Sequence, residues 1–253
     1  MNNKKKKTFG YLIYILAGFI LFNILWHICA LLLQLKALPQ PLEVYKAFPQ
    51  ALDNDILSHF IHSFQRIVAG LTIASLIALS AGITMGYNKM ANKIFGPLLY
   101  FTYPVPKLAL LPIVMVLFGI GETSKIIIIV LIIVFQLILS IRDGVLAIPK
   151  EDYAVLTSLR ASHFNKMRHI TFPAIMPAFL SSLRVSVGIA VSALFFTETF
   201  GTDKGLGFYI TDSWMRLDYL QMYLGIFLLS LSGFLLFLFF DILENIICKW
   251  KNI

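Results

Sequence analysis

Charge is scarce in this chain. Only 13% of its 253 residues are Asp, Glu, Lys or Arg, against 58% that are hydrophobic. A soluble core this apolar would aggregate, so the composition places the chain in the membrane class. Cysteine is rarer still, with Cys29 and Cys248 the two present. They are expected near opposite ends of the first and last apolar runs, nearly a bilayer thickness apart and beyond disulfide reach, so both read as packing residues. Metal-ligand spacing is missing too: His27, His59, His62, His163 and His169 have no Cys or carboxylate nearby in a ligating pattern, and no metal site is expected. Nucleophile elbow, phosphate-cradling glycine loop and paired intramembrane carboxylates are all lacking, so the chain alone carries no catalytic chemistry.

What the sequence does hold is apolar length. Six runs, 12–33, 64–85, 97–118, 123–141, 173–196 and 220–240, are each about long enough to cross the roughly 30 Å hydrocarbon layer as helices. The expected fold is therefore all-α, a polytopic bundle of six transmembrane helices. The third run is the weakest, because Pro97, Pro104, Pro106 and Pro112 interrupt it. Residues 1–10 read as a basic N-terminus, 11–58 as the first helix and an outer loop, 59–248 as the main transmembrane domain, and 249–253 as a tail. The N-terminal lysines before an apolar run resemble a signal peptide, but the run is long and no small-residue cleavage site follows, so an uncleaved first span is expected.

Basic residues orient the bundle. With the N-terminus inside, the inner segments hold Lys4 to Lys7, Lys89, Lys93, Arg142, Lys150, Arg160, Lys166, Arg168, Lys249 and Lys251. The outer loops hold only Lys36, Lys46, Lys125, Lys204 and Arg216, which makes both termini cytoplasmic. This asymmetry and attraction to anionic lipid account for the net charge of +8, leaving no reason to expect a nucleic-acid partner.

Inside the spans, Gly70, Ala74, Ala78, Gly82 and Gly86 recur every four residues and form a small-residue stripe where another helix can approach closely. Pro104, Pro106 and Pro112 each remove a helical donor, so the freed carbonyls need neighbours or water. Lys107 beside them either faces a wet path through the bundle or snorkels to the interface. Arg184 either lines such a path or braces the inner half of its helix, and Glu198 is expected at an exit or docking surface on the outer side.

The loop between the fourth and fifth spans has its own pattern. Pro149 followed by Lys150, Glu151 and Asp152 starts a helix with acidic residues at the positive end of its dipole. Tyr153, Leu156, Leu159 and His163 then recur at helical spacing, and Ser162 is placed to cap a second short helix before Pro173 opens the next span. Two short helices parallel to the membrane would expose one face to the cytoplasm.

From Ala154 through Pro173 the sequence resembles the coupling loop of the membrane subunits of bacterial ABC importers, whose pattern is Glu-Ala-Ala, three residues, Gly, nine residues, then Ile-x-Leu-Pro. Ile170 and Pro173 match, Phe172 stands for the Leu, Ala154-Val155-Leu156 aligns with the triplet, and Arg160 replaces the Gly. A left-handed bend at Arg160 would cost about 1 to 2 kcal/mol; alternatively Arg160 straightens the bend or meets an acidic group on a partner. The run from Pro104 to Pro112 continuing to Phe118-Gly119-Ile120-Gly121-Glu122, and Glu198-x-Phe200-Gly201 followed by Gly205-Leu206-Gly207, are similar to the nitrate, sulfonate and taurine branch of that family.

This resemblance implies a permease subunit in a bacterial cytoplasmic membrane, paired with a second permease, most simply a second copy. It also implies two cytoplasmic ATPases that hold ATP and Mg, with no cofactor on this chain. An external binding protein would deliver a small anionic or heteroaromatic solute. Tyr153, Ala154, Val155, Leu156, Leu159, Arg160, Ala161, Ser162, Lys166, Ile170, Phe172 and Pro173 would form the ATPase-coupling segment. Pro104, Pro106, Lys107, Pro112, Arg184 and Glu198 are candidates for the translocation path. An ion-coupled secondary transporter or a non-transporting scaffold are the other classes, the first weakened by the lack of an internal repeat.

Overall fold

The computed structural model describes residues 2–53 and 55–252, with side chains described for 13–52 and 55–250. Met1, Ile253 and the side chains of Lys4 to Lys7 and Lys251 in the expected basic termini lie outside the described residues. Every regular element among the described residues is helical: α1 Asn2–Leu33, α2 Pro41–Lys46, α3 Phe48–Asp53, α4 Ile56–Tyr87, α5 Lys89–Thr102, α6 Leu111–Phe118, α7 Glu122–Leu146, α8 Lys150–Ser158, α9 His163–Lys166, α10 Phe172–Glu198, α11 Leu206–Met215 and α12 Tyr219–Ile247. Among the described residues, five stretches are long and apolar enough to cross a membrane as helices: Ile13–Leu33, Ile56–Tyr87, Glu122–Leu146, His163–Glu198 and Tyr219–Ile247.

The expected third span corrects to a broken one. Instead of one helix over 97–118, α5 and the Lys107–Phe118 stretch are bent by 86°. Pro106 cannot supply the N–H that would bond the Thr102 carbonyl, and Pro104 fails Tyr100 in the same way, so the helix cannot continue. Pro112, by contrast, sits in the first turn of α6, where a missing N–H costs nothing.

The chain divides into two compact units, one holding the segment up to Leu57 with Tyr209–Phe227, the other Ser58–Phe208 with the stretch from Leu228 onward. In the first, Trp26 of α1 stacks on Tyr223 at 5.3 Å, and the Tyr45 hydroxyl donates to Asn23 Oδ1 at 2.8 Å. Most of the α1 surface from Ile13 on is exposed and apolar, as suits a helix solvated by lipid.

The second unit carries the functional architecture. The small-residue stripe of α4 lies on α7: a Cβ at Gly70 would stand 2.5 Å from Ile129, one at Gly82 2.8 Å from Ile141, and one at Gly86 2.5 Å from Val145. Ala74 and Ala78 between them are fully buried. Because these contacts advance together along both helices, α4 and α7 are parallel. The intervening chain must therefore return to its starting side, which makes the bent α5–α6 pair a crossing and not a re-entrant loop. α10 runs antiparallel to α7, with Ser182 donating to Ser140 at 2.7 Å and Ile175 beside Gly144. The inner part of α12 runs antiparallel to α10, with Gly233 on Val191 and Arg184 paired to Asp241 and Glu244. Tyr87, the 147–171 loop and the end of α12 thus share one end of this unit, and Arg66, Glu122 and Glu198 share the other.

Candidate functional site

At the loop end, α8 begins after Pro149 with Glu151 and Asp152 in its first turn. It closes in a Schellman turn. The N–H of Ala161 donates to Leu156 O and that of Arg160 to Thr157 O, both at 2.9 Å, with Arg160 at φ +53°. The left-handed bend is therefore kept without a glycine, and Arg160 does not straighten it. Arg160→Gly should relieve about 1 to 2 kcal/mol of backbone strain, less about 0.4 to 1 kcal/mol for added freedom in the unfolded chain. Slower amide exchange over residues 156–161 is the expected result; unchanged or faster exchange contradicts it. Ser162 accepts from the Asn165 N–H at 3.3 Å and caps α9, after which a π-helical turn, Met167–Thr171, feeds α10.

The loop residues divide by direction. Val155, Leu159 and Phe164 are 64%, 73% and 66% exposed, large apolar side chains on an otherwise polar protrusion. Ala154, Arg160, Ser162 and Phe172 are exposed as well, while Leu156, Ala161, Lys166, Ile170 and Pro173 are half-buried. Tyr153 turns inward: its hydroxyl lies 3.0 Å from Thr171 Oγ1 and 3.3 Å from the Tyr87 hydroxyl, and Tyr87 bonds Thr171 in turn. The His163 ring stands edge-on to Tyr87 at 5.3 Å. Burial pushes the Tyr153 hydroxyl up to about 12, so it stays a neutral partner in this triangle. The protrusion is thereby fastened to the last turn of α4 and to the π-helical turn that leads into α10.

At the opposite end lies a buried ionic cluster. Arg66 of α4 is 1% exposed; its Nη1 donates to Glu198 Oε1 at 2.6 Å and to Lys204 O at 2.9 Å, and its Nε donates to Glu122 Oε2 at 2.6 Å. Glu198 is fully buried and also accepts from Ser63 Oγ at 2.8 Å and the Gly207 N–H at 2.7 Å. The Leu206 N–H donates to Ser63 at 2.7 Å. Glycine is forced here twice over. Gly205 has φ +118°, and a Cβ there would fall on the Glu198 carboxyl and 2.5 Å from Arg66 Nη1. Gly201, at φ +58°, has Ile120 in the same position. Lys125 is buried beside them and donates to Gly121 O at 3.1 Å.

The structure corrects the placement of Glu198 and agrees with the bracing reading of Arg184. Glu198 is not on an exit or docking surface, because its carboxylate is the centre of this cluster. Arg184 braces the inner half of α10 against α12 through Asp241 and Glu244, with its guanidinium over Phe237. Arg66 and Ser63 were not singled out by sequence, although Arg66 is the one Lys or Arg between Ile56 and Tyr87. A lone cation in an apolar run, with carboxylates at the ends of two other runs, is the signal that was available. At the bend, Lys107 Nζ donates to Thr102 O, the carbonyl that Pro106 cannot serve, at 2.7 Å, and to Tyr103 O. Among the described residues no group of three or more His, Cys, Asp or Glu could hold a metal.

Residues 70–250 match the family described as binding-protein-dependent transport system inner membrane component. The taurine transport system permease protein of Escherichia coli K12 is 31% identical, over 92% of this chain and 87% of its own length. The formylaminopyrimidine transport permease protein of Halalkalibacterium halodurans is 26% identical, over 92% and 94%. A putative aliphatic sulfonates transport permease protein of Bacillus subtilis is 27% identical, over 85% and 78%. In fold, the chain resembles a chain of the inward-facing MetNI methionine ABC transporter with a TM-score of 0.60 at 13% identity, covering 76% of this chain and 98% of that one.

Proposed function

The chain belongs to the binding-protein-dependent transport system inner membrane component family, and from that premise we propose how it works as a permease subunit of an ATP-driven importer. Two copies form the translocation path in a bacterial cytoplasmic membrane, with both termini in the cytoplasm and 59–248 as the transporting domain. Two cytoplasmic ATPases supply ATP and Mg, and an extracytoplasmic binding protein delivers a small solute, a sulfonate, nitrate, a pyrimidine or similar. The names of the relatives favour this class. The chain itself hydrolyses nothing.

The observation that carries the proposal is the protrusion at 150–166, apolar at its exposed tip and fastened through Tyr153 to Tyr87 and Thr171. An ATPase cleft gripping Val155, Leu159 and Phe164 displaces α8, and the hydroxyl triangle passes that displacement to α4 and α10 together. At the far end the Arg66 cluster holds α4, α7 and α10 as one body, so closure of the ATPases biases whole-helix tilts and not local bends.

Reconstitution into vesicles tests this. Uptake of taurine, nitrate or formylaminopyrimidine is expected only with ATPase, binding protein and ATP all present. Uptake by this chain alone under an ion gradient would make it a secondary transporter, and no uptake by the full assembly of any of the three would count against this solute class.

A further inference from the structure

The 86° break between α5 and α6 opens a cavity of 360 Å³, lined by Tyr103, Pro106 and Lys107 of the bend, Phe135 and Gln136 of α7, and Ile189 of α10. Its size falls in the range of small-molecule pockets. Among the described residues Lys107 is the one charged side chain lining it, and its ammonium stands 5.2 Å from the Phe135 ring centre and 5.5 Å from that of Tyr103. An ammonium carries three donors. Two are used on the Thr102 and Tyr103 carbonyls, which leaves one for a ligand. Gln136 adds an amide with both donors and acceptor, and the remaining walls are aromatic, aliphatic or proline.

We propose that this cavity is a binding site for a short-chain organic anion, a sulfonate or carboxylate whose head meets Lys107 and Gln136 and whose carbon stem lies against Phe135, Tyr103 and Ile189. The inference rests on the permease reading above and adds to it a place within the bundle where the solute halts. The chemistry selects against cations, which Lys107 repels. It also disfavours multiply charged anions, since a single ammonium faces apolar walls. The same lysine thus does two things: it donates to the Thr102 and Tyr103 carbonyls at the bend, and it supplies the field that an anion senses.

Charge-selective thiol labelling separates these roles. Gln136→Cys is introduced with Cys29→Ser in the reconstituted full assembly, and the introduced thiol is exposed to methanethiosulfonate reagents of similar size, one bearing a sulfonate and one a quaternary ammonium. The sulfonate reagent should react faster by about tenfold, as expected for a unit charge a few ångströms away in a partly screened site. That preference should vanish with Lys107→Gln, which keeps a donor for the carbonyls, and survive Lys107→Arg. Millimolar methanesulfonate should slow the labelling. Equal rates, a preference that persists in Lys107→Gln, no protection by methanesulfonate, or no labelling by either reagent would each overturn the proposal. ATP-driven uptake is measured on assemblies with Gln136 intact, so failure of the permease reading registers there and not in the thiol rates.

Discussion

Glu198→Ala is expected to leave the protein too unstable to purify folded. The substitution takes from Arg66, which is 1% exposed, the one of its two carboxylate partners that is itself fully buried, and it also removes the acceptor for Ser63 and for the Gly207 N–H. Removing one partner of a buried ion pair costs about 3 to 5 kcal/mol, because the remaining charge cannot be rehydrated. Against a typical total stability of about 5 to 15 kcal/mol, that loss is a large share. Glu122→Ala provides the internal comparison: Glu122 is largely exposed, water replaces it more easily, and the expected loss is about 1 kcal/mol. Thermal unfolding in detergent of both variants beside the unaltered chain is the measurement. Equal losses at the two glutamates, or none at Glu198, would refute the assignment of the cluster as a tie between α4, α7 and α10.

Val155→Asp combined with Leu159→Asp should abolish transport while sparing the fold. Both side chains project from α8 into open surroundings, so neither change disturbs the packing of the chain itself. In the assembly they would be buried against an ATPase, where apolar anchors are worth about 2 kcal/mol or more each. Their joint replacement by carboxylates should weaken ATPase association by at least roughly a hundredfold. Co-purification of the ATPase and ATP-driven uptake are the readouts, with permease abundance as the control. Leu156→Asp is the contrasting variant. Leu156 is half-buried, so its replacement is expected to lower permease abundance instead. Undiminished uptake by the Val155 and Leu159 pair would remove the docking role from α8.

Most of the architecture could be read from the residues. Long apolar runs, Pro149 at a helix start, Ser162 as a cap and the spacing of Gly70 through Gly86 all act locally or through periodicity, which a sequence displays directly. What stayed hidden depends on which helices meet. Glu198 was visible as a charge at the end of a span, but only the antiparallel packing of α10 on α4 makes Arg66 its partner, 132 positions earlier. Tyr153 fits an apolar periodicity within the coupling segment, but that its hydroxyl finds Tyr87 and Thr171 depends on contacts that only the returning chain creates. The prolines foretold an interruption without its angle, since the same residue type breaks the chain at Pro106, opens a helix at Pro112 and is tolerated within α5 at Pro97.

The distance in sequence between Arg66 and its carboxylates also matters during synthesis. At about 5 to 20 residues per second, a ribosome needs on the order of ten seconds after making Arg66 before it adds Glu198. For that interval the guanidinium is in the insertion machinery without its fully buried acidic partner, and until Glu122 follows, 56 residues on, without either, at an insertion penalty of up to about 3 kcal/mol that the surrounding leucines, isoleucines and alanines of its segment offset. Nascent chains halted before residue 198 should therefore hold this segment less firmly in the bilayer than completed ones.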